Sequence, residues 1–143
     1  MENRPTDQDQ AAVATVARYL AAANQGDVDA MVAATTADFE FRTPRSVLHG
    51  HDELRASMAE PQSMKVMFMP RRWFARGVAV VCFMDARYSY AESGERAGEE
   101  PRFVRAVVCE GQLELLQVGY ADGETALREA GLTGDEEILV QGS

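Results

Sequence analysis

Apolar and polar positions along this chain change their period midway. From Asp9 to Asn24, Val13, Val16, Leu20 and Ala23 recur at helical spacing and alanines fill most of the gaps, which predicts an amphipathic helix. Gly26 ends it, because glycine tolerates positive φ, and Asp27 caps a second helix with Val28, Met31 and Val32 on its inner face. The alternation Asp38-Phe39-Glu40-Phe41-Arg42 then predicts a short strand that Pro44 stops. Gly50-His51-Asp52-Glu53 opens a third helix, whose first-turn acids favour its dipole and whose Leu54 and Met58 form an i,i+4 apolar pair.

Beyond Met64 the period shortens to two. Strands are expected over Met64–Phe74, Val78–Tyr90, Phe103–Cys109 and Leu113–Tyr120, the last two joined around Glu110-Gly111-Gln112. Ala91–Pro101 is acidic and turn-like and is expected as a loop. Asp122 caps a final helix with Ala126, Leu127 and Ala130 on its apolar side, closed by Gly131. Helices followed by an antiparallel meander give an α+β fold, with the helices on one sheet face and a cavity between helix and curved sheet. The expected organisation is a flexible N-terminus over 1–8, one domain over 9–131, and a loose acidic tail over 132–143 in which Ile138-Leu139-Val140 could dock.

In the long strand Val80, Cys82, Met84, Ala86 and Tyr88 share one face, and Val81, Phe83, Asp85 and Arg87 the other. Both faces are apolar in their first half. The second face therefore needs a cover, for which a second copy of the chain is the expectation.

Composition narrows the partners. The chain has 143 residues, about one domain, and 46% are apolar, enough for a core. Fourteen basic against twenty-three acidic residues leave a net charge of −9, which disfavours nucleic acid and anionic membranes. No apolar run is long enough to span a bilayer, and MENRPTDQDQ lacks the apolar centre of a secretory leader. Cys82 and Cys109 show no metal-ligand or redox spacing, so free thiols in a reducing cytoplasm are expected. Two histidines without clustered acids make no metal site, and none is expected.

Three segments, RYLAAANQGDVDAMVA (Arg18–Ala33), HGHDELRA (His49–Ala56) and EGQLELLQVGYAD (Glu110–Asp122), resemble the SnoaL-like, ketosteroid-isomerase-like branch of the nuclear-transport-factor-type α+β cone. The resemblance covers roughly residues 11–131. It implies a cystatin-like cone with an internal pocket, often dimeric, and a cofactor-free isomerase, cyclase or dehydratase acting on polyketide-like or related small molecules. It also implies a helix-1 tyrosine at Tyr19, a base directly before Pro44, and a neutral acid near Phe103–Arg105. By that resemblance each of the last two positions should hold a carboxyl, but this chain has Thr43 and Arg105 there. Neither can take that role at neutral pH. The epoxide hydrolase branch expects Arg-x-Asp on a central strand; here Asp85-Ala86-Arg87 runs in the opposite order.

The resemblance turns the Val80–Tyr88 face toward the pocket. Candidate catalytic residues are Tyr19, Arg105 and His49. Candidate pocket residues are Phe41, Thr43, Met58, Cys82, Met84, Tyr88, Val107, Leu116, Val118 and Tyr120. Tyr19 is either a pocket donor or a core aromatic. Arg105 either meets an anionic ligand or closes a salt bridge at the sheet edge. His49 is either an acid/base at the cavity mouth or a solvated loop residue. Two functions remain open: transformation of a small, largely apolar molecule bearing a carbonyl or carboxylate, or non-catalytic binding by a homodimeric module that lacks the family's acids.

Overall fold

In the computed structural model, which describes residues 5–139, the first element is α1 (Asp7–Gln25). Thr6 and Asp9 form a reciprocal capping box that starts the helix. Residues 7 and 8, expected in a flexible N-terminus, are therefore already helical. Gly26, at φ 68°, ends α1, and the Asp27 carboxylate accepts from the Ala30 N–H to begin α2 (Val28–Ala33). The chain continues through β1 (Thr35–Arg42), β2 (Val47–His49) and α3 (Gly50–Ala59). Then come the long strands β3 (Met64–Arg76), β4 (Ala79–Tyr90) and β5 (Arg96–Cys109), followed by β6 (Gln112–Gln117), α4 (Gly123–Glu129) and β7 (Glu137–Ile138).

The seven strands form one mixed, curved and unclosed sheet in the order β2-β1-β6-β5-β4-β3-β7. The pairings are antiparallel except β1 with β6. Register shifts between Pro70 and Arg72, Tyr88 and Ser89, and Val107 and Val108 mark bulges, which bend a ladder and increase its twist. The β5–β6 hairpin turns on Glu110 and Gly111, both at positive φ, as a two-residue connection of that hand requires. Arg18 of α1 donates to the Gly111 carbonyl, so the helix holds the hairpin tip.

Two cores lie on opposite sides of the sheet. On the concave side Val13, Val16, Tyr19 and Leu20 of α1 pack against Phe39, Val80, Cys82, Met84, Val104, Ala106 and Leu116. On the convex side Ala126 of α4 and Leu132 pack on Phe74 and Val81, with Phe83, Phe103 and Tyr120 around them. The convex cover expected from a second copy of the chain is thus supplied over Val81 and Phe83 by α4. The fit is close enough that a Cβ at Gly123 would lie 2.2 Å from the Phe83 ring.

Other boundaries also differ from the sequence reading; β1 begins at Thr35 rather than Asp38, and β2 had no counterpart. Of the expected loop Ala91–Pro101, only the stretch before Arg96 is a turn, and the rest extends β5 along β4. The last sheet strand of the meander stops at Gln117 rather than Tyr120, where Gly119 passes against Pro44. Residues 132–139 are not loose: Leu132 and Ile138 are buried, and β7 pairs with Trp73 and Phe74. Leu139 is exposed, and Val140 lies outside the described residues.

Candidate functional site

Register defines the concave wall. Residues directly opposite on antiparallel strands share a face. Cys82 faces Val104, Met84 faces Arg102, Ala86 faces Glu100 and Phe68, and Tyr88 faces Gly98 and Val66. Because Cys82, Met84 and Val104 belong to the concave core, Arg102, Glu100 and Tyr88 continue the same face toward its open end. Burial falls along that face: Met84 and Ala86 are fully buried, Tyr88 is half-buried, and Tyr90 is 50% exposed. Phe41, Leu48, Met58, Phe68 and Val118 are only partly buried against the same core.

One polar cluster stands on this wall. The Tyr88 hydroxyl donates to Glu100 Oε1 at 2.7 Å and accepts from Arg102 Nη2, which lies 2.6 Å from the same Glu100 oxygen. Below the cluster the wall is apolar. Among the described residues the buried carboxylates are Asp9 and Glu136, and both are committed elsewhere. Asp9 accepts from the Gly77 and Thr6 N–H groups, and Glu136 from those of Thr133 and Gly134. Among the described residues, no group of three or more His, Cys, Asp or Glu side chains could hold a metal ion.

The structure brings Tyr19, Phe41, Met58, Cys82, Met84, Tyr88, Leu116 and Val118 to the concave side. Tyr19 packs on Phe39 with ring centroids 5.6 Å apart. Burial raises its phenol well above the ordinary tyrosine range, with no hydrogen bond contributing to the shift. Burial likewise pushes the Cys82 thiol far up, against a smaller opposing contribution from the Arg71 backbone, so it stays neutral and unreactive at pH 7.

Five candidates lie elsewhere. Arg105 pairs across from Val81 on the convex face, where it donates to Tyr120 Oη and Gln117 Oε1, both at 3.2 Å. Tyr120 and Val107 belong to that face too. The pocket placement of Arg105, Val107 and Tyr120 is therefore corrected: β5 presents the opposite parity to the cone. His49 is exposed and sits opposite Glu40, on the side of the β1–β2 hairpin away from Phe41 and Leu48. It is not at the cavity mouth, and it opens α3 by donating its backbone N–H to Glu53. The Thr43 hydroxyl builds the turn after β1, accepting from the Arg45 and Ser46 N–H groups.

His51 also has a structural partner. Thr35 Oγ1 gives its one proton to the Val32 carbonyl, so it must accept from His51 Nε2, 3.0 Å away. Sequence reasoning missed Arg102 and Glu100, because it treated 96–101 as loop. The available signal for the strand was the turn at Ser93-Gly94; the parity was not legible, because the bulge between Tyr88 and Ser89 is what brings Arg102 rather than Pro101 opposite Met84.

A family model described as a SnoaL-like domain matches residues 16–114. No curated protein matches. Among solved structures, a LEH-like epoxide hydrolase of M. tuberculosis superposes with a TM-score of 0.70 at 19% identity, over 87% of this chain and 90% of that one. A candidate polyketide cyclase from Xanthomonas campestris gives 0.69 at 19% identity, over 87% and 99%. An NTF2-like protein from Burkholderia xenovorans gives 0.65 at 20%, over 84% and 95%. At these identities the likeness is one of fold.

Proposed function

The chain belongs to the SnoaL-like domain family, and we propose that it binds a small, largely apolar molecule with one polar end on the concave face, without a cofactor and without the family's acid–base step. The observation that supports this reading is the make-up of the concave side: a buried floor of Tyr19, Cys82, Met84 and Leu116, partly buried apolar side chains beside it, and, among the described residues, no carboxylate or imidazole in that core. A fold alone does not choose among isomerase, cyclase, hydrolase and binder, so the residues on the wall must. Removing a general base typically costs about 10²–10⁴-fold in rate. Thr43 is engaged in its turn, Arg105 is on the other face, and His49 is away from the mouth, which favours binding over isomerisation, cyclisation or dehydration. Cys82 and Cys109 are free thiols, which supports a reducing, cytoplasmic setting.

Methionine methyl NMR tests the site. Titration with N-phenyl-1-naphthylamine, a neutral aromatic probe, should shift the Met58 and Met84 methyls and leave Met67, on the convex face of β3, in place. Shifts confined to Met67, or none, would remove the concave face as a ligand site.

A further inference from the structure

We propose that the groove between the outward flank of α1 and the β3–β7 edge binds an amphipathic acid, with its apolar body along Ala14 and Leu139 and its carboxylate at Arg18. This site is separate from the concave one and does not depend on it.

The groove has a cause in the sequence. Gln10, Ala14 and Arg18 recur at i, i+4 and i+8, so they stand in one line along α1, and Val13 and Ala17 form the line beside it. The alanines in the middle are too short to reach the sheet edge. Opposite them Trp73 and Ile138, paired across β3 and β7, form a buried wall, and Leu139 continues it outward. The space between offers about 770 Å³. Small-molecule sites typically hold roughly 300–1,000 Å³. At the helix rise, the stretch from Gln10 to Arg18 runs about 12 Å, room for an extended chain. Leu139 is 84% exposed at the rim, and an aliphatic body laid in the groove would cover it together with Ala14 and Ala17.

The polar lining selects the other end of the ligand. Arg18 brings a positive charge, and among the described residues its bonded partner is the neutral Gly111 carbonyl, reached through Nη2. That contact leaves the charge uncancelled. The indole N–H of Trp73 has no acceptor among the described residues, and its nitrogen is not sealed off as Thr36 Oγ1 is. Both groups are donors only. No acidic side chain lines the groove, although the chain carries twenty-three acidic against fourteen basic residues. A positive region on an acidic molecule attracts an anion, and a carboxylate meets it with charge-assisted hydrogen bonds that an alcohol lacks. One cation suits a monoanion better than a doubly charged phosphate.

Trp73 is the chain's one tryptophan, so its fluorescence and its indole N–H resonance report on this groove. Decanoate and decan-1-ol, which share a chain length, are titrated against the full chain at pH 7 and low salt. Decanoate should move both Trp73 signals, bind more tightly than the alcohol, and leave the Met58 methyl in place. Ala14→Leu, at an exposed position where leucine is a good helix former, fills the groove. It should weaken both probes by about tenfold or more with circular dichroism unchanged. Arg18→Met should weaken decanoate by roughly three- to tenfold, change the alcohol less than about twofold, and abolish the salt dependence of decanoate binding. Equal loss of both probes in Arg18→Met, or no loss, overturns the carboxylate assignment. Unchanged affinities in Ala14→Leu overturn the groove, and a Met58 shift that survives this substitution places the probe on the concave face instead. Trp73 signals that ignore both probes overturn the proposal outright; if they change with protein concentration alone, a second copy of the chain is the occupant. The response of Met58 to N-phenyl-1-naphthylamine is read separately, so the two sites stand or fall independently.

Discussion

Asn24, in the last turn of α1, stands in for a missing strand. Its side-chain amide donates to the Phe68 carbonyl at 2.9 Å and accepts from the Phe68 N–H at 2.8 Å. β7 pairs with β3 only at Trp73 and Phe74, so Asn24 satisfies the backbone of that edge where no strand does. Asn24→Ala leaves both Phe68 groups without a protein partner, at a cost of about 1–3 kcal/mol. Hydrogen exchange should report it locally, with the Phe68 amide becoming fast while amides of the β4–β5 ladder stay slow. Unchanged protection at Phe68 would show that water or a neighbour replaces the bond fully. The same scale shows what a sequence conceals. Asn24 reads as an ordinary helix-end residue, and its partner lies 44 positions away. Arg105 and Arg102 read alike as well, and only their parity on β5 separates a convex-face contact from a cone residue.

Among the elements, those with local signals were legible. The caps at Asp27 and Asp122, Gly26 after α1, and the acids of α3 all mark boundaries that the structure keeps within a few residues. The C-terminal segment was not legible, because what orders it is distant. Arg72 holds Glu137 through two bonds of 2.9 and 2.8 Å, and Arg76 lies 3.2 Å from Glu136. Burial raises the Glu136 carboxyl, but the N–H groups of Thr133 and Gly134 outweigh it and leave the pKa below the ordinary 4.5. The Arg72 hydrogen bond lowers that of Glu137 as well. A folded-state pKa below the unfolded value means stability that is present above the ordinary carboxylate range and lost as pH falls through the depressed value. Glu136→Gln should therefore lower stability at pH 7 by about 1–3 kcal/mol and much less near pH 3. Denaturant unfolding of both chains at the two pH values measures the difference. An equal loss at both would mean that shape, not charge, holds the segment.

At the scale of the whole molecule, the sheet is covered on both sides, by α1 on the concave face and by α4 with Leu132 on the convex one. This explains why the fold class was readable while the wall of the site was not. A sheet with one wet face shows clean alternation, and its parity can be taken from the sequence. Here Phe103, Val104, Ala106, Val107 and Val108 place apolar side chains at both parities of β5, so hydrophobicity alone could not say which set faces the cone. The dimer expected from Val81 and Phe83 drew on the same two-sided pattern, and α4 now accounts for those residues within one chain. The helix has only seven residues, and its hold rests on few side chains, with Ala126 fully buried at the centre. Ala126→Asp puts an unpaired carboxylate into that contact, which a short helix relieves by lifting away. Phe74, Val81, Phe83 and Phe103 would then form a contiguous exposed apolar patch, the kind of surface that drives association. Light scattering at micromolar concentration should give a larger mass for Ala126→Asp than for the wild-type chain, whose single-copy mass is 15.7 kDa. Circular dichroism should retain the sheet signal, because the concave core is untouched. Equal masses with the sheet intact would show that the convex face stays covered without α4, and the two-layer account of this fold would fail.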